Sequence, residues 1–508
     1  MKLNTLACAI GLAILPVTGA FAAALDRSGQ SVGAFLQPGN YFEAGLSVLD
    51  PNVSGKETGT LDTRRNIEDM GESYFFPHAA LKFQVNEKFS VGLLYDQPFG
   101  ANAEYQGNNA FVAAPGSDTI LGASTINQIS QSSVNNLVTA SGAAFAPTLQ
   151  AVAAAAPAGT PQSQLVLESL RRIAQSNPTV AAGLMQLQQT DGALKLANAA
   201  LGEGATEVEV HTQSLSLIFG YQPTENWNFY AGPVYQTVKG DVKLRGQAYS
   251  IFNGYDANFK QTGDVGWLAG LAYQVPEIAL KASITYRSEI EHSAKTRERL
   301  SVLDKDQATT GAVQGLLLGL GVPGDKIAAM SQQGSTEIIT PQSVNLELQS
   351  GIMANTVAFA NVRWVDWSNF GIRPYQFGKV SDAVGQLPSI ARPNGFDLVK
   401  YDKDQWSATV GVGRKFSELW AGNVSVGWDS GAGNPITTLG PTEGFWNVGV
   451  GLQYSPTPQT FIAGGVKYFW LGDAKSQTAA QVGDDSQIVA DFSDNDAIAY
   501  GLKMGYRF

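Results

Sequence analysis

Residues 498–508 (IAYGLKMGYRF) constrain the fold more than any other part of the chain. Ile498, Tyr500, Leu502, Met504, Tyr506 and Phe508 recur at every second position, with Ala499, Gly501, Lys503, Gly505 and Arg507 between them. Successive side chains of a strand point to opposite faces, so one face is large and apolar and the other small or charged. An apolar row that runs on to an aromatic at the last position suits a strand with lipid on one side and water on the other.

The same rhythm recurs along the chain. Leu81, Phe83 and Val85 alternate with Lys82 and Gln84, and Phe89, Val91, Leu93 and Tyr95 follow a polar turn at Asn86. From Glu207 onward the alternation is nearly continuous, interrupted by tight turns near Pro223, Pro276, Asn355, Glu418 and Pro456. Long loops fall between these turns. Short turns on one side and long loops on the other are the asymmetry of an outer-membrane barrel. Six short turns imply about fourteen strands, closed into a ring because lipid cannot satisfy an open sheet edge. The fold class expected is therefore an all-β, transmembrane antiparallel barrel.

The beginning of the chain agrees. Lys2, the apolar stretch 6–17 and the small residues around Ala20 and Ala22 have the layout of a secretory signal peptide spanning 1–22. Cys8, the only cysteine, would leave with it, so no disulfide or cysteine-held metal is expected. A short segment, 23–39, is expected to plug the barrel built by 40–508. No later apolar run reaches the length of a membrane helix. Residues 106–205, rich in Ala, Gln, Ser and Asn, form a loop insertion. Leu165, Leu167, Leu170 and Ile173, and then Val180, Leu184 and Leu187 beyond Asn177 and Pro178, predict a helical hairpin there. Two further short helices are expected in 301–334, on either side of Gly321.

Charge sorts the remaining possibilities. A formal net charge of −11 argues against a nucleic-acid partner. Lys82, Lys281, Arg287, Arg363, Lys467, Lys503 and Arg507 all occupy the face opposite the apolar one. A Lys or Arg facing mid-bilayer lipid costs about 2–4 kcal/mol, so these side chains are expected in the lumen. There they could solvate a channel, hold a plug or meet an anionic head group. The three histidines, His78, His211 and His292, stand in no triad-like or metal-binding context, so no enzyme and no cofactor is implied. In the third strand Pro98, Phe99 and Gly100 interrupt the pattern, because proline cannot donate to a sheet ladder and glycine weakens it. They mark either the rim of the strand or a kink that opens the wall.

Several stretches together resemble one family. They are NYFEAGLSVLDPNVSG, FPHAALKFQVNEKFSVGLLYDQPFGANAEY, NWNFYAGPVYQTVKGDVKLRG, GWLAGLAYQV with ASITYRSEIEHSAKTR, and VRWVDWSNF. In order and spacing they resemble the FadL/TodX-type outer-membrane transporters of long-chain fatty acids and aromatic hydrocarbons, over nearly all of the chain outside 106–205. The resemblance implies a fourteen-stranded plugged barrel in the outer membrane of a Gram-negative bacterium. It implies passive transport of a hydrophobic small molecule, most readily a long-chain fatty acid, with lateral release at the kink of Pro98, Phe99 and Gly100. By the same resemblance Arg245 and Lys400 are candidates for holding a carboxylate. Ile251, Phe252, Tyr255 and Phe259, with Leu316, Leu317, Leu318, Leu320, Ile327 and Met330, would form the external capture groove. Tyr500, Leu502, Met504, Tyr506 and Phe508 resemble a signal read by the barrel-assembly machinery, and the outer face would meet outer-membrane lipid. The plug is shorter than the family's and lacks its Asn-Pro-Ala motif. A structural or non-specific porin-like barrel, with loops that bind a partner, is the alternative.

Overall fold

The computed structural model, which describes residues 25–508, is a closed antiparallel barrel of fourteen spans. β1 is Tyr41–Asn52, β2 is Tyr74–Gln84, and β3 is Phe89–Asp96 continued as Gly100–Glu104. β4 (Glu207–Tyr221), β5 (Trp227–Leu244) and β6 (Tyr255–Val275) are the longest unbroken strands. β7 joins Leu280–Arg287 to Ile290–Leu300, β8 joins Ser335–Thr340 to Ser343–Met353, and β9 is Thr356–Val365. β10 (Gln405–Lys415), β11 (Trp420–Asp429), β12 (Phe445–Tyr454), β13 (Thr460–Leu471) and β14 (Asp496–Arg507) complete the ring. β14 pairs with β1 from Tyr41↔Arg507 to Asn52↔Asp496, which leaves no free edge. The expected signal peptide lies outside the described residues.

The alternation read from the sequence is the alternation of the wall. Tyr500, Leu502, Met504, Tyr506 and Phe508 are exposed on the outside, and Lys503 between them is buried. Phe83 is exposed while Lys82 beside it is 3% exposed, and Arg363 and Arg287 are likewise buried inside the ring. Exposed tryptophans and tyrosines, among them Trp267, Trp406, Trp446 and Trp470, ring the outside, as aromatic side chains do at membrane interfaces. All six short turns fall where the sequence places them, so β1 and β14 both begin or end on the turn side of the barrel.

The loops hold more structure than the sequence suggests. The insertion contains four helices, Ala123–Ser141, Phe145–Ala155, Gln162–Ala174 and Pro178–Asn198, rather than one hairpin. The Asn177 side chain caps the last of them by accepting from the amides of Thr179 and Val180. Leu137, Leu170, Ile173 and Val180 form a small core of their own. Contrary to the sequence reading, one helical stretch, Ile129–Ala155, is long and apolar enough by composition to cross a membrane; Gly142, at φ 54°, breaks it. Gln307–Gly319 and Gly324–Ala329 are the two helices expected beyond β7. The loop between β9 and β10 carries a further helix, Tyr375–Val384, started by Pro374. Five short strands from three loops, Gly55–Glu57, Asn66–Ile67, Ile436–Thr437, Ala474–Gln477 and Ala490–Phe492, form a second sheet above the barrel.

Candidate functional site: two cavities, a plug and a broken strand

The plug explains the lumen cations. The Asp26 carboxylate is buried 2.6 Å from Nε of Arg363, whose guanidinium also donates to Gln30 and Asn345. Arg287 donates to the carbonyl of Gln30, Lys82 to that of Gln37 and Lys281 to that of Leu36. Polar lumen residues thus satisfy backbone carbonyls of an irregular segment whose sheet pairing, among the described residues, is a single bridge, Asp26↔Phe99. Phe35 is fully buried within the plug segment and packs edge-on to Tyr230 at 5.8 Å. Gly92 makes the room, since a Cβ there would stand 2.4 Å from the Phe35 ring. A polar cavity of about 210 Å³ remains beside the plug, lined by Glu43, His78, Asp96, Glu347, Lys467 and Lys503 among others.

The outer cavity, about 540 Å³, lies among the loops. Ile251, Phe252, Leu316 and Leu317 line it, four of the residues that the sequence reading placed in a capture groove. Phe377 and Phe396 line it too, and sequence reasoning missed both. Phe252 stacks on Phe377 at 4.5 Å between ring centroids, and Tyr255 meets Phe377 at 5.4 Å. The Tyr255 hydroxyl donates to the Glu298 carboxylate at 2.7 Å, and that carboxylate also accepts the amides of Gln376 and Phe377 at the start of helix Tyr375–Val384. An acidic group at a helix N-terminus satisfies otherwise unpaired donors, so this contact fixes the Phe377 ring against β6.

A second, smaller cavity of about 50 Å³ lies inside the barrel. Phe259, Val208, Val242, Ile338 and Trp367 line it, together with Leu25 from the plug and Phe99 and Ala101 from the broken β3. Its one charged lining residue is Lys239, whose side chain is exposed. The two cavities share no lining residue, yet their walls belong to one buried apolar cluster reaching from Leu316 and Phe252 through Phe259 to Phe99. Ile327 and Met330 are buried in that cluster and Leu320 packs against it, behind the cavity walls rather than on them.

The two candidate carboxylate-holding residues are not brought together. Arg245 is bound within the wall, to the Asp256 carboxylate at 2.5 Å and to the carbonyls of Glu203, Leu244 and Tyr255. Lys400 is exposed on a two-residue strand paired with Gly371–Ile372; its neighbour Val399 lines the inner cavity.

The break in β3 is a kink in the wall, not its rim. Asp96 pairs with Ser214 and Gly100 with His211, so β3 spends one more residue than β4 across Gln97, Pro98 and Phe99. On the other side the β2–β3 ladder runs from Gln84↔Ser90 only to Ala79↔Tyr95. It resumes at the single bridge Gly71↔Ala103. Between them residues 74–78 pair with β1 alone, leaving a window in the wall beside the kink. The plug closes the inner side of the kink: the Arg27 amide donates to Pro98 O at 2.7 Å and the Gly100 amide to Leu25 O at 2.9 Å.

A closed, plugged membrane barrel, with a buried apolar cluster reaching from its outer loops to a break in its wall, suits a channel for hydrophobic compounds. The chain belongs to the outer-membrane transport protein family described as OMPP1/FadL/TodX, whose profile matches residues 119–508. The match begins inside the helical insertion, which the sequence reading set outside the resemblance, and leaves out the first three spans. Members are outer-membrane transport channels for hydrophobic compounds, not enzymes. Among solved structures, a FadL homologue of Pseudomonas aeruginosa is similar at 12% identity and a TM-score of 0.57, over 97% of this chain and 98% of that one. The toluene transporter TodX of P. putida matches at 11% identity and a TM-score of 0.48, over 94% and 91%. At such identities the likeness to the first is one of fold. No curated protein matches the chain.

Proposed function

We propose that the protein passes a hydrophobic compound passively, through the outer cavity to the inner one and then sideways into the membrane at the β3 kink. The observation that carries this reading is the position of Phe99 and Ala101. They line the inner apolar cavity and sit where the β2–β3 ladder lapses. The plug supports the sideways direction, because its bonds to Arg363, Arg287, Lys82 and Lys281 fill the straight route through the lumen. Movement is downhill partitioning, and no cofactor enters it.

The apolar lining of the inner cavity favours an uncharged hydrocarbon or aromatic. A carboxylate buried without a partner costs several kcal/mol, and Arg245 is already engaged. A long-chain fatty acid is the second reading, favoured by one observation. Arg392 lines the outer cavity, where it could hold a carboxylate while the chain points inward. Uptake of labelled toluene and labelled fatty acid by cells carrying the protein separates the two. Deleting Gln97 and replacing Pro98 with Thr, which removes the extra residue of the kink and leaves Gly100 in place, is expected to abolish uptake of whichever is carried. Unchanged uptake would remove lateral release from the account.

A further inference from the structure

The window in the wall has an occupant that the transport reading leaves unexplained. Tyr74, the first residue of β2, stands opposite Gly100 in the interrupted β2–β3 register. Its side chain is 5% exposed, and its hydroxyl lies between the carbonyl oxygens of Ala101, 2.9 Å away, and Val210. One side chain thus ties β2 to β3 and β4 where the backbone does not. Gly100 permits this, because a Cβ at that position would come within 2.5 Å of the hydroxyl oxygen. The ring stacks on Phe76 at 5.1 Å and carries the Arg27 guanidinium of the plug over its face at 5.9 Å. Below the ring, His78, Ala79, Tyr95 and Asp96 of the window's edges line the polar cavity; beyond it, Phe99 and Ala101 line the apolar one.

We propose that Tyr74 is the shutter of the lateral opening, latched by its hydroxyl on the carbonyls of Ala101 and Val210 and seated by the missing side chain of Gly100. The proposal rests on the lateral-release reading. With the shutter seated, the apolar cavity is closed off from the window. A rotation of one side chain opens it without breaking any barrel ladder, since the β2–β3 ladder has lapsed there and the pairing with β1 and β4 is untouched. Such a shutter keeps the inner cavity dry between passages, and its size sets the bulk of what passes.

The test uses the full barrel in cells, with outer-membrane amounts matched by surface labelling. Losing one hydrogen bond raises the open fraction about fivefold, so Tyr74→Phe is expected to raise initial toluene uptake by up to that factor. Gly100→Ala, which unseats the ring, is expected to act in the same direction. Tyr74→Ala should do more, and should speed labelling of an Ala101→Cys variant by a lipid-soluble maleimide. If Tyr74→Ala changes neither uptake nor labelling, or only weakens the barrel, the ring is packing for Gly100 and the shutter is refuted. The straightened variant, which keeps Gly100 and so leaves the seat of Tyr74 intact, separates the two ideas. Uptake that survives straightening overturns lateral release itself. Uptake that stops on straightening, while Tyr74 variants behave as the parent, overturns only the shutter.

Discussion

At the scale of single residues, burial and partners decide roles that residue type leaves open. Arg245 is a cation near an apolar pocket in sequence, and in the fold it is a strut between Asp256 and three carbonyls. Arg245→Ala is therefore expected to cost about 1–3 kcal/mol of barrel stability, because several charge-assisted bonds and a buried site are lost. Urea unfolding of the detergent-solubilised barrel reads that loss. Ligand affinity, measured by titration on the fraction that remains folded, should be unchanged. A selective drop in fatty-acid affinity would restore Arg245 as a ligand-holding residue. Ile251, Phe252, Leu316 and Leu317 were legible because large apolar residues in a loop outside a membrane need something to cover them. Phe377 and Phe396 were not, since they lie in a stretch broken by Pro374, Gly378, Pro393 and Gly395. Their cover comes from β6, more than a hundred residues away in the chain. Leu25 and Tyr74 escaped for the same reason: contacts with the kink depend on how the ring closes, which no local pattern encodes.

At the scale of elements, the wall was legible and the loops were not. Period-two alternation is enforced on every span by lipid outside and polar plug or water inside, so the lipid-facing part of each span could be read, but not the outer extensions Ile290–Leu300 of β7 and Ser335–Thr340 of β8. The loops obey no such two-sided rule. Helix Tyr375–Val384 and the five-stranded loop sheet form by tertiary contact, with strands as short as two residues. One loop element carries a titratable signature. Glu443, between β11 and β12, accepts the Gly433 amide, but burial of its other oxygen pushes its pKa up from 4.5 to about 7. The folded loop then holds a proton that the unfolded loop has released. Stability from this group is full below pH 4.5, falls between there and about pH 7, and is constant above. Amide exchange in 430–444 is expected to be slower at pH 5 than at pH 8 after correction for intrinsic rates. Glu443→Gln should remove the difference. A difference that persists in this variant would place the proton elsewhere.

At the scale of the whole molecule, the barrel separates two tasks. The lumen is filled by a segment held through buried ionic and carbonyl contacts, while the apolar cluster runs from the outer loops to the one span whose pairing fails beside it. How the segment before β1 is gripped was not legible in the sequence. The cations that hold it look, in sequence, like any lumen charge. The account's central claim is that the compound leaves through the wall and not past the plug. Ser31 of the plug and Glu347 of β8 touch, with Oγ 2.6 Å from Oε1, so Ser31→Cys with Glu347→Cys can be joined by a short bis-thiol cross-linker that pins the plug's lower part to the wall. The residues at the kink, Leu25, Asp26 and Arg27, stay free of the link. Labelled toluene uptake should then proceed in cross-linked cells at the rate of unlinked ones. Uptake lost on cross-linking and restored on cleaving the linker would mean that the compound passes through the lumen, contradicting the account.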